Sequence, residues 1–230
     1  MYIPLYIDIE GMRIAVIGAG NVGTRRAKYL SSKGANVVVY SKDFSPELRD
    51  LEASGILELK YIDDDTAPED LARELNGKYS LIVIATNDLR FNSKLSDLLR
   101  KNNVFINNAT KASTGNVVFP FHSEVYDGGL KLAITSLGKT GIASRTALEH
   151  CISYLENNEY LRNLYNVMSL FKEILVECIS DPKKRVPLYF KVDSDRGFHE
   201  LVRKGFLQEA LARALEVSDL PAECLRYPPG

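Results

Sequence analysis

Residues Arg13 to Tyr40 read RIAVIGAGNVGTRRAKYLSSKGANVVVY, and this stretch decides the fold. It opens on an apolar run, Ile14-Ala15-Val16-Ile17, with the length and composition of a buried parallel strand. Gly18-Ala19-Gly20-Asn21-Val22-Gly23 follows without a break. The next residues keep a helical period, with Gly23, Ala27 and Leu30 on one face. Gly34 stands where a helix-terminating glycine belongs, and Val37-Val38-Val39 returns as a second strand. Strand, glycine turn, helix and strand within about thirty residues make the βαβ unit that binds dinucleotides.

Each glycine has a separate task. Gly18 permits the tight turn, Gly20 lets a pyrophosphate reach bare backbone, and Gly23 brings the helix close to the sheet. Asn21 and Val22 open the helix, whose first N–H groups and positive dipole end favour phosphate. The second strand ends Tyr40-Ser41-Lys42-Asp43, with no acid where one would bond the ribose 2′-hydroxyl of NAD. Ser41 suits a ribose hydroxyl and Lys42 tolerates a phosphate, so this strand leaves NAD and NADP both open.

The 230 residues suit one large domain or two small ones, and 45% hydrophobic content is enough for a proper core. A net charge of −1 and a pI near 6.3 give no general affinity for nucleic acid or anionic membrane. No apolar run reaches transmembrane length. The N-terminus, MYIPLYIDIEG, carries acids early and no basic segment, unlike a signal peptide. Cys151, Cys178 and Cys224 are odd in number and widely spaced, which points to thiols in a reducing cytoplasm.

Along the chain, Ile3 to Ile9 reads as a short strand. Ser45-Pro46-Glu47 starts a helix, with Ser as N-cap and Pro at the first position. Ile56 to Ile62 is a strand, Pro68 to Leu75 a helix, and Leu81 to Ala85 a buried strand. A helix through Leu95, Leu98 and Leu99 and a strand at Val104 to Ile106 complete the alternation. Strands alternating with helices predict an α/β fold with a Rossmann-type, doubly wound parallel sheet. Its ligand edge collects Gly18 to Gly23, Thr86 to Asp88 and Asn107 to Thr110.

Beyond residue 113 the pattern changes. Asn116 to Phe121 and Leu130 to Thr135 read as strands joined by the turn Tyr126-Asp127-Gly128-Gly129. A lone pair of strands cannot bury itself, which predicts a homodimer sealed there. The polar turn Ser136 to Gly141 leads into helices, with a stripe at Leu161, Leu164, Tyr165, Met168, Phe171 and Leu175. Asp181-Pro182 starts a further helix, Leu207 to Leu215 is another, and Tyr227 to Gly230 reads as a loose tail. The expected organisation is a dinucleotide-binding domain over 1–113, a dimerisation strand region over 114–145 and a helical domain over 146–230.

With these residues placed, the chain resembles the precorrin-2 dehydrogenase and sirohydrochlorin ferrochelatase family, the N-terminal module of sirohaem synthases. The likeness runs through PLYIDIEGMRIAVIGAGNVGTRRAKYL, IVIATNDLRFN, FINNATKASTGNVVFP and ITSLGKTG into the helical tail. The glycine motif is widely shared; Ala85-Thr86-x-Asp88 with Asn92, Asn107 and the strand near Pro120 is more specific. The resemblance implies NAD⁺ as hydride acceptor from precorrin-2, giving sirohydrochlorin. In some members it also implies insertion of Fe²⁺.

One departure stands out. Bifunctional members carry an Asp three residues after the Asn that matches Asn107, held to act in both reactions; here that place is Thr110. A threonine hydroxyl does not titrate near neutrality. The resemblance with this change implies a dehydrogenase, with chelation of iron left to a separate chelatase. The alternatives are a bifunctional enzyme and a non-catalytic NAD-sensing module.

The candidate site residues follow. Thr110, Asp88 and His122 are the catalytic candidates. Gly18, Gly20, Asn21, Val22, Gly23, Ser41, Thr86 and Asn107 are the candidates for NAD. Asn108, Ser136, Lys139 and Thr140 are the candidates for the tetrapyrrole, and no metal-ligand set is present. Asp88 also suits the N-cap of the following helix.

Overall fold

The computed structural model describes residues 2–220. Cys224 and the predicted tail at Tyr227 to Gly230 lie outside the described residues. The chain divides into two compact units. One holds the residues up to Phe121 together with Thr135–Ser144; the other holds His122–Ile134 and the described residues from Arg145 on.

The first unit is built on five parallel strands: β1 (Arg13–Ile17), β2 (Asn36–Ser41), β3 (Glu58–Tyr61), β4 (Leu81–Ile84) and β5 (Phe105–Asn108). Their order is β3-β2-β1-β4-β5, the doubly wound arrangement that the alternation predicts. Register is in line across the centre, with Ile14 opposite both Val37 and Leu81. The helices are α1 (Asn21–Ser32), α2 (Pro46–Ala53), α3 (Pro68–Leu75) and α4 (Leu89–Leu99).

The period of two along each strand feeds two cores. Ala15, Ile17, Val38, Ile82 and Ile84 pack with Leu71, Leu75, Leu95 and Leu99 of α3 and α4. Ile14, Val16, Val37, Val39 and Val83 pack with Ala27, Leu30 and Leu48 of α1 and α2. Both faces of the sheet are therefore covered, which explains why its strands are apolar without alternation. α1 buries Gly23, Ala27 and Leu30, and Gly34 after it takes φ +83°. Ser45 caps α2 by accepting from the Leu48 N–H, with Pro46 at the first position.

Two expected strands are corrected. Ile3 to Ile9 is not a strand. Pro4 has no N–H to give a ladder, and Ile3, Leu5 and Tyr6 are exposed. The first strand of the later pair is β6 (Phe121–Val125) instead of Asn116 to Phe121. Asn116 and Val117 instead donate their N–H groups to the Ile106 carbonyl, at 2.9 and 3.0 Å. Pro120 then interrupts the donors, so pairing with β7 (Leu130–Ile134) begins one residue later.

The second unit contains α5 (Gly141–Glu156) from Arg145 on, then α6 (Glu159–Cys178), α7 (Pro182–Asp193), α8 (Arg196–Lys204) and α9 (Leu207–Val217). Its core joins Val167, Phe171 and Leu175 of α6 to Val192, Phe198, Val202, Ala210 and Ala214. Asp181 caps α7 as its Asp-Pro start predicts. α8 has its own cap at Asp195 and ends on Gly205 at φ +75°. No helix among the described residues is long and apolar enough to cross a membrane.

Candidate active site

The carboxyl ends of β1, β2 and β4 open on one cleft of about 630 Å³ in the first unit. Gly18, Gly20, Ser41, Lys42, Thr86 and Asp88 are among the residues that line it. The glycine turn is fastened to β2. The Gly18 N–H donates to the Tyr40 carbonyl at 2.7 Å and the Ala19 N–H to Ser41 Oγ at 3.2 Å. Thr24 Oγ1 donates to the Ala19 carbonyl at 3.0 Å.

The glycines differ in what they answer to. Gly18 has φ +100°, and a Cβ there would lie 2.8 Å from the Ala85 carbonyl oxygen. A Cβ on Gly23 would lie 1.8 Å from the Gly18 oxygen. Gly20 has an ordinary φ of −71°, and a Cβ on it would meet nothing within 4 Å. Protein packing does not demand glycine at position 20. It leaves bare backbone at the start of α1, a helix with no side-chain cap. The first N–H groups of that helix have no intrahelical acceptor. These residues fit a pyrophosphate, which needs close backbone approach and N–H donors.

The rim beyond β2 is acidic. Asp43, Asp63 and Asp64 line it beside one cation, Lys42. Lys42 Nζ pairs with Asp64 Oδ1 at 2.5 Å, and that hydrogen bond with the carboxylate charge holds the ammonium above its ordinary range. At the far side, Asp88 Oδ1 accepts from the N–H groups of Arg90 and Phe91 at 2.8 and 2.9 Å, capping α4. Asp88 thus has both of the places the sequence offered it, lining the cleft and capping the helix.

A hydrogen-bonded chain lies beside this cleft. Asn92 is fully buried; its Nδ2 donates to the Thr86 carbonyl at 2.8 Å and to Thr110 Oγ1 at 3.2 Å. Thr86 Oγ1 donates to Asn92 Oδ1 at 2.5 Å. Thr110 Oγ1 donates to Asn108 Oδ1 at 2.8 Å, and Asn108 Nδ2 donates to Thr114 Oγ1 at 2.9 Å. The chain ties the ends of β4 and β5 to α4. Thr110 therefore has its hydroxyl engaged as donor and acceptor, and Asn108 is buried with both ends of its amide occupied.

A second, smaller cleft of about 250 Å³ lies in the same unit. It is bounded by Val22, Arg25 and Arg26 of α1, by Asn107 at the end of β5 and by Ser136 and Thr140. Ser136 Oγ donates to the Thr140 carbonyl and accepts from the Thr140 N–H, both at 2.8 Å, closing the polar turn. Asn107 Nδ2 donates to the Val117 carbonyl at 3.0 Å.

The predicted residues thus fall into separate places. Gly18, Gly20, Ser41, Thr86 and Asp88 line the larger cleft. Val22, Asn107, Asn108, Ser136 and Thr140 line the smaller one. Asn21 is exposed at the start of α1, and Gly23 packs the helix on the turn. Lys139 is exposed and lines neither cleft, and His122 belongs to the second unit and lines neither. Sequence reasoning missed Asp63, Asp64, Arg25 and Arg26 as site residues. The signals were available: the acids follow β3 on the ligand edge, and the arginines lie on the second turn of the helix that follows the glycine turn.

Residues 5–121 match a family model described as "Putative NAD(P)-binding". A protein of Methanocaldococcus jannaschii named "Putative precorrin-2 dehydrogenase" is 31% identical over 204 residues, covering 88% of this chain and 95% of that protein. The chain belongs to the precorrin-2 dehydrogenase family. The precorrin-2 dehydrogenase of Priestia megaterium is 28% identical over 205 residues, again 88% of this chain and 95% of that one. The siroheme synthase of Photorhabdus laumondii is 25% identical over 96% of this chain, which spans 45% of that longer protein. Among solved structures, that of "SirC, precorrin-2 dehydrogenase" superposes with a TM-score of 0.61 at 24% identity, over 94% of this chain and all of the other, and shares the fold. Membership in the precorrin-2 dehydrogenase family agrees with the glycine turn and the open backbone at Gly20.

Proposed function

We propose that this protein oxidises precorrin-2 to sirohydrochlorin with NAD⁺, a step of sirohaem biosynthesis. The observation that carries the reading is Gly20 in a chain of this family. No protein contact requires glycine there, and the freed space lies at the uncapped start of α1. Gly18, Gly20 and the first N–H groups of α1 would hold the pyrophosphate, and Ser41 and the acidic rim the ribose. Three carboxylates around one already paired lysine disfavour a 2′-phosphate, so NAD is preferred to NADP.

When bound, NAD⁺ supplies the hydride acceptor. The chain must then orient the substrate and take up a proton. Of the three catalytic candidates, Asp88 is the carboxylate at the cleft. Its Oδ1 is held by two N–H donors, and its Oδ2 makes no hydrogen bond among the described residues. Asp88 is the proposed proton acceptor.

Thr110 offers no carboxylate, and its hydroxyl is engaged on both sides. We therefore assign iron insertion to a separate chelatase; sirohaem formation by this protein alone from sirohydrochlorin and Fe²⁺ would overturn that assignment. The working form is proposed to be a cytoplasmic homodimer. Among the described residues the β6–β7 hairpin forms a sheet of two strands and exposes Phe121 and Leu130.

The test is to incubate purified protein with precorrin-2 and either NAD⁺ or NADP⁺ and follow the absorption spectrum. NADH and sirohydrochlorin should form together, with NADP⁺ a much poorer acceptor. A protein that binds NAD⁺ but leaves precorrin-2 unchanged would restore the sensing module.

A further inference from the structure

The two clefts of the first unit carry opposite charge. The larger has Asp43, Asp63, Asp64 and Asp88 against Lys42. The smaller has Arg25 and Arg26, and no carboxylate lines it. Arg26 is in an unusual state for an arginine. Its Nε is buried and has no hydrogen-bond partner among the described residues. Its guanidinium lies over the Phe119 ring, 4.1 Å from the centroid. Burial, and after it the like charge of Arg25, push Arg26 below its ordinary range. Arg26 is half-buried, and a partly desolvated cation in a cleft lined by no carboxylate is a ready donor for an arriving anion.

We infer that Arg26, with Arg25 beside it, forms a carboxylate-binding subsite in the smaller cleft, and that it takes a side-chain carboxylate of the tetrapyrrole. The inference rests on the oxidation of precorrin-2 proposed above. The Phe119 ring covers one side of the guanidinium and Nε is buried, which leaves the terminal N–H groups as the donors. A carboxylate accepts from such a fork in two parallel bonds, which lysine cannot match. Contact with the ring also holds the guanidinium in place before the substrate comes, lowering the entropy lost on binding. A carboxylate-rich substrate is repelled by the acidic rim and attracted here, so the charge pattern separates it from the nucleotide. The residues are bound to α1, whose start holds the cofactor site, so one helix positions both ligands.

The experiment compares wild type, Arg26→Gln and Arg26→Lys with precorrin-2 at saturating NAD⁺, and measures NAD⁺ affinity by calorimetry. Loss of a charged, partly desolvated contact should raise KM for precorrin-2 roughly ten- to a hundredfold in Arg26→Gln. The turnover number should stay within about threefold, because the contact holds ground state and transition state alike. Arg26→Lys should fall between, and KM in Arg26→Gln should depend less steeply on salt than in wild type. NAD⁺ affinity should not change. A KM within about twofold of wild type, or a loss of NAD⁺ affinity, overturns the subsite; the second result would make Arg26 a cofactor contact. Should Arg26→Gln fail to fold, Arg25→Gln carries the same expectation of raised KM at unchanged NAD⁺ affinity, and the same refutation. A wild-type protein inert towards precorrin-2 removes the oxidation itself and this subsite with it. An active wild type with an unaltered variant removes the subsite alone.

Discussion

Gly20 and Gly23 are three positions apart in one motif, yet they fail differently when changed. A side chain on Gly20 meets open space, and an acid there is a good N-cap for α1. Gly20→Asp should therefore keep the melting temperature and lose NAD⁺ binding, since it puts negative charge where the pyrophosphate belongs. Gly23→Ala should do the reverse in order of cause. Its Cβ would lie 1.8 Å from the Gly18 oxygen, forcing α1 off the turn and costing about 1–3 kcal/mol. Calorimetry with NAD⁺ and thermal melts separate the two; unchanged NAD⁺ affinity in Gly20→Asp would take the turn out of the site. Thr110 and Asp88 make a second contrast. Thr110→Ala strips a partner from buried Asn92 and should cost about 1 kcal/mol of stability while leaving turnover within about threefold. Asp88→Asn keeps the cap of α4 but cannot take a proton, and should lower turnover roughly 10²-fold or more. Equal turnover in Asp88→Asn and wild type would move the proton to solvent.

At the scale of elements, the helical unit is joined by a cap that is also an ion pair. Asp195 accepts from the Phe198 N–H at 2.7 Å and so starts α8. Arg213 of α9 meets it with a fork, Nε to Oδ1 at 3.1 Å and a terminal nitrogen to Oδ2 at 2.8 Å. These bonds, that from Arg213 first, hold the Asp195 carboxyl below its ordinary value. Because the folded value is the lower, this stability is complete above the ordinary carboxylate value near ~3.9 and is lost as pH falls from there through the folded value. Asp195→Asn keeps a cap acceptor and loses the charge, so it should cost roughly 0.5–1 kcal/mol at pH 7. The gap from wild type should close in acid. Asp195→Ala loses the cap as well and should cost about 1–2 kcal/mol. Urea titrations followed by circular dichroism at neutral and acid pH test this; a gap that does not narrow in acid would mean the charge contributes nothing.

At the scale of the whole molecule, the outstanding expectation is association. Among the described residues the β6–β7 hairpin is a sheet of two strands, and so small a sheet is marginal by itself and is usually covered or extended. Light scattering at micromolar concentration should give twice the 25.7 kDa chain mass. A single-chain mass under those conditions would remove the hairpin from any interface.

What the sequence determined by itself is the first unit's architecture. Period, caps and glycines are local properties, and each element of the βαβ alternation carries its own: Ser45-Pro46 for α2, Pro68 for α3, the apolar run for β4. The glycine motif and its chemistry were legible for the same reason. Only tertiary structure decided where the polar residues after β5 went. Asn107 and Asn108 adjoin in sequence, yet Asn107 bonds Val117 while Asn108 anchors Thr110 and Thr114, because successive residues of a strand face opposite sides. Tertiary structure also moved β6 past Pro120, since Asn116 and Val117 found acceptors on Ile106 that no local pattern announces. The opposite charges of the two clefts were equally hidden. Asp64 reaches Lys42 across 22 residues, and Arg26 meets Phe119 from the far end of the unit's sequence. Charge in a cleft is a sum over segments that only the fold brings together.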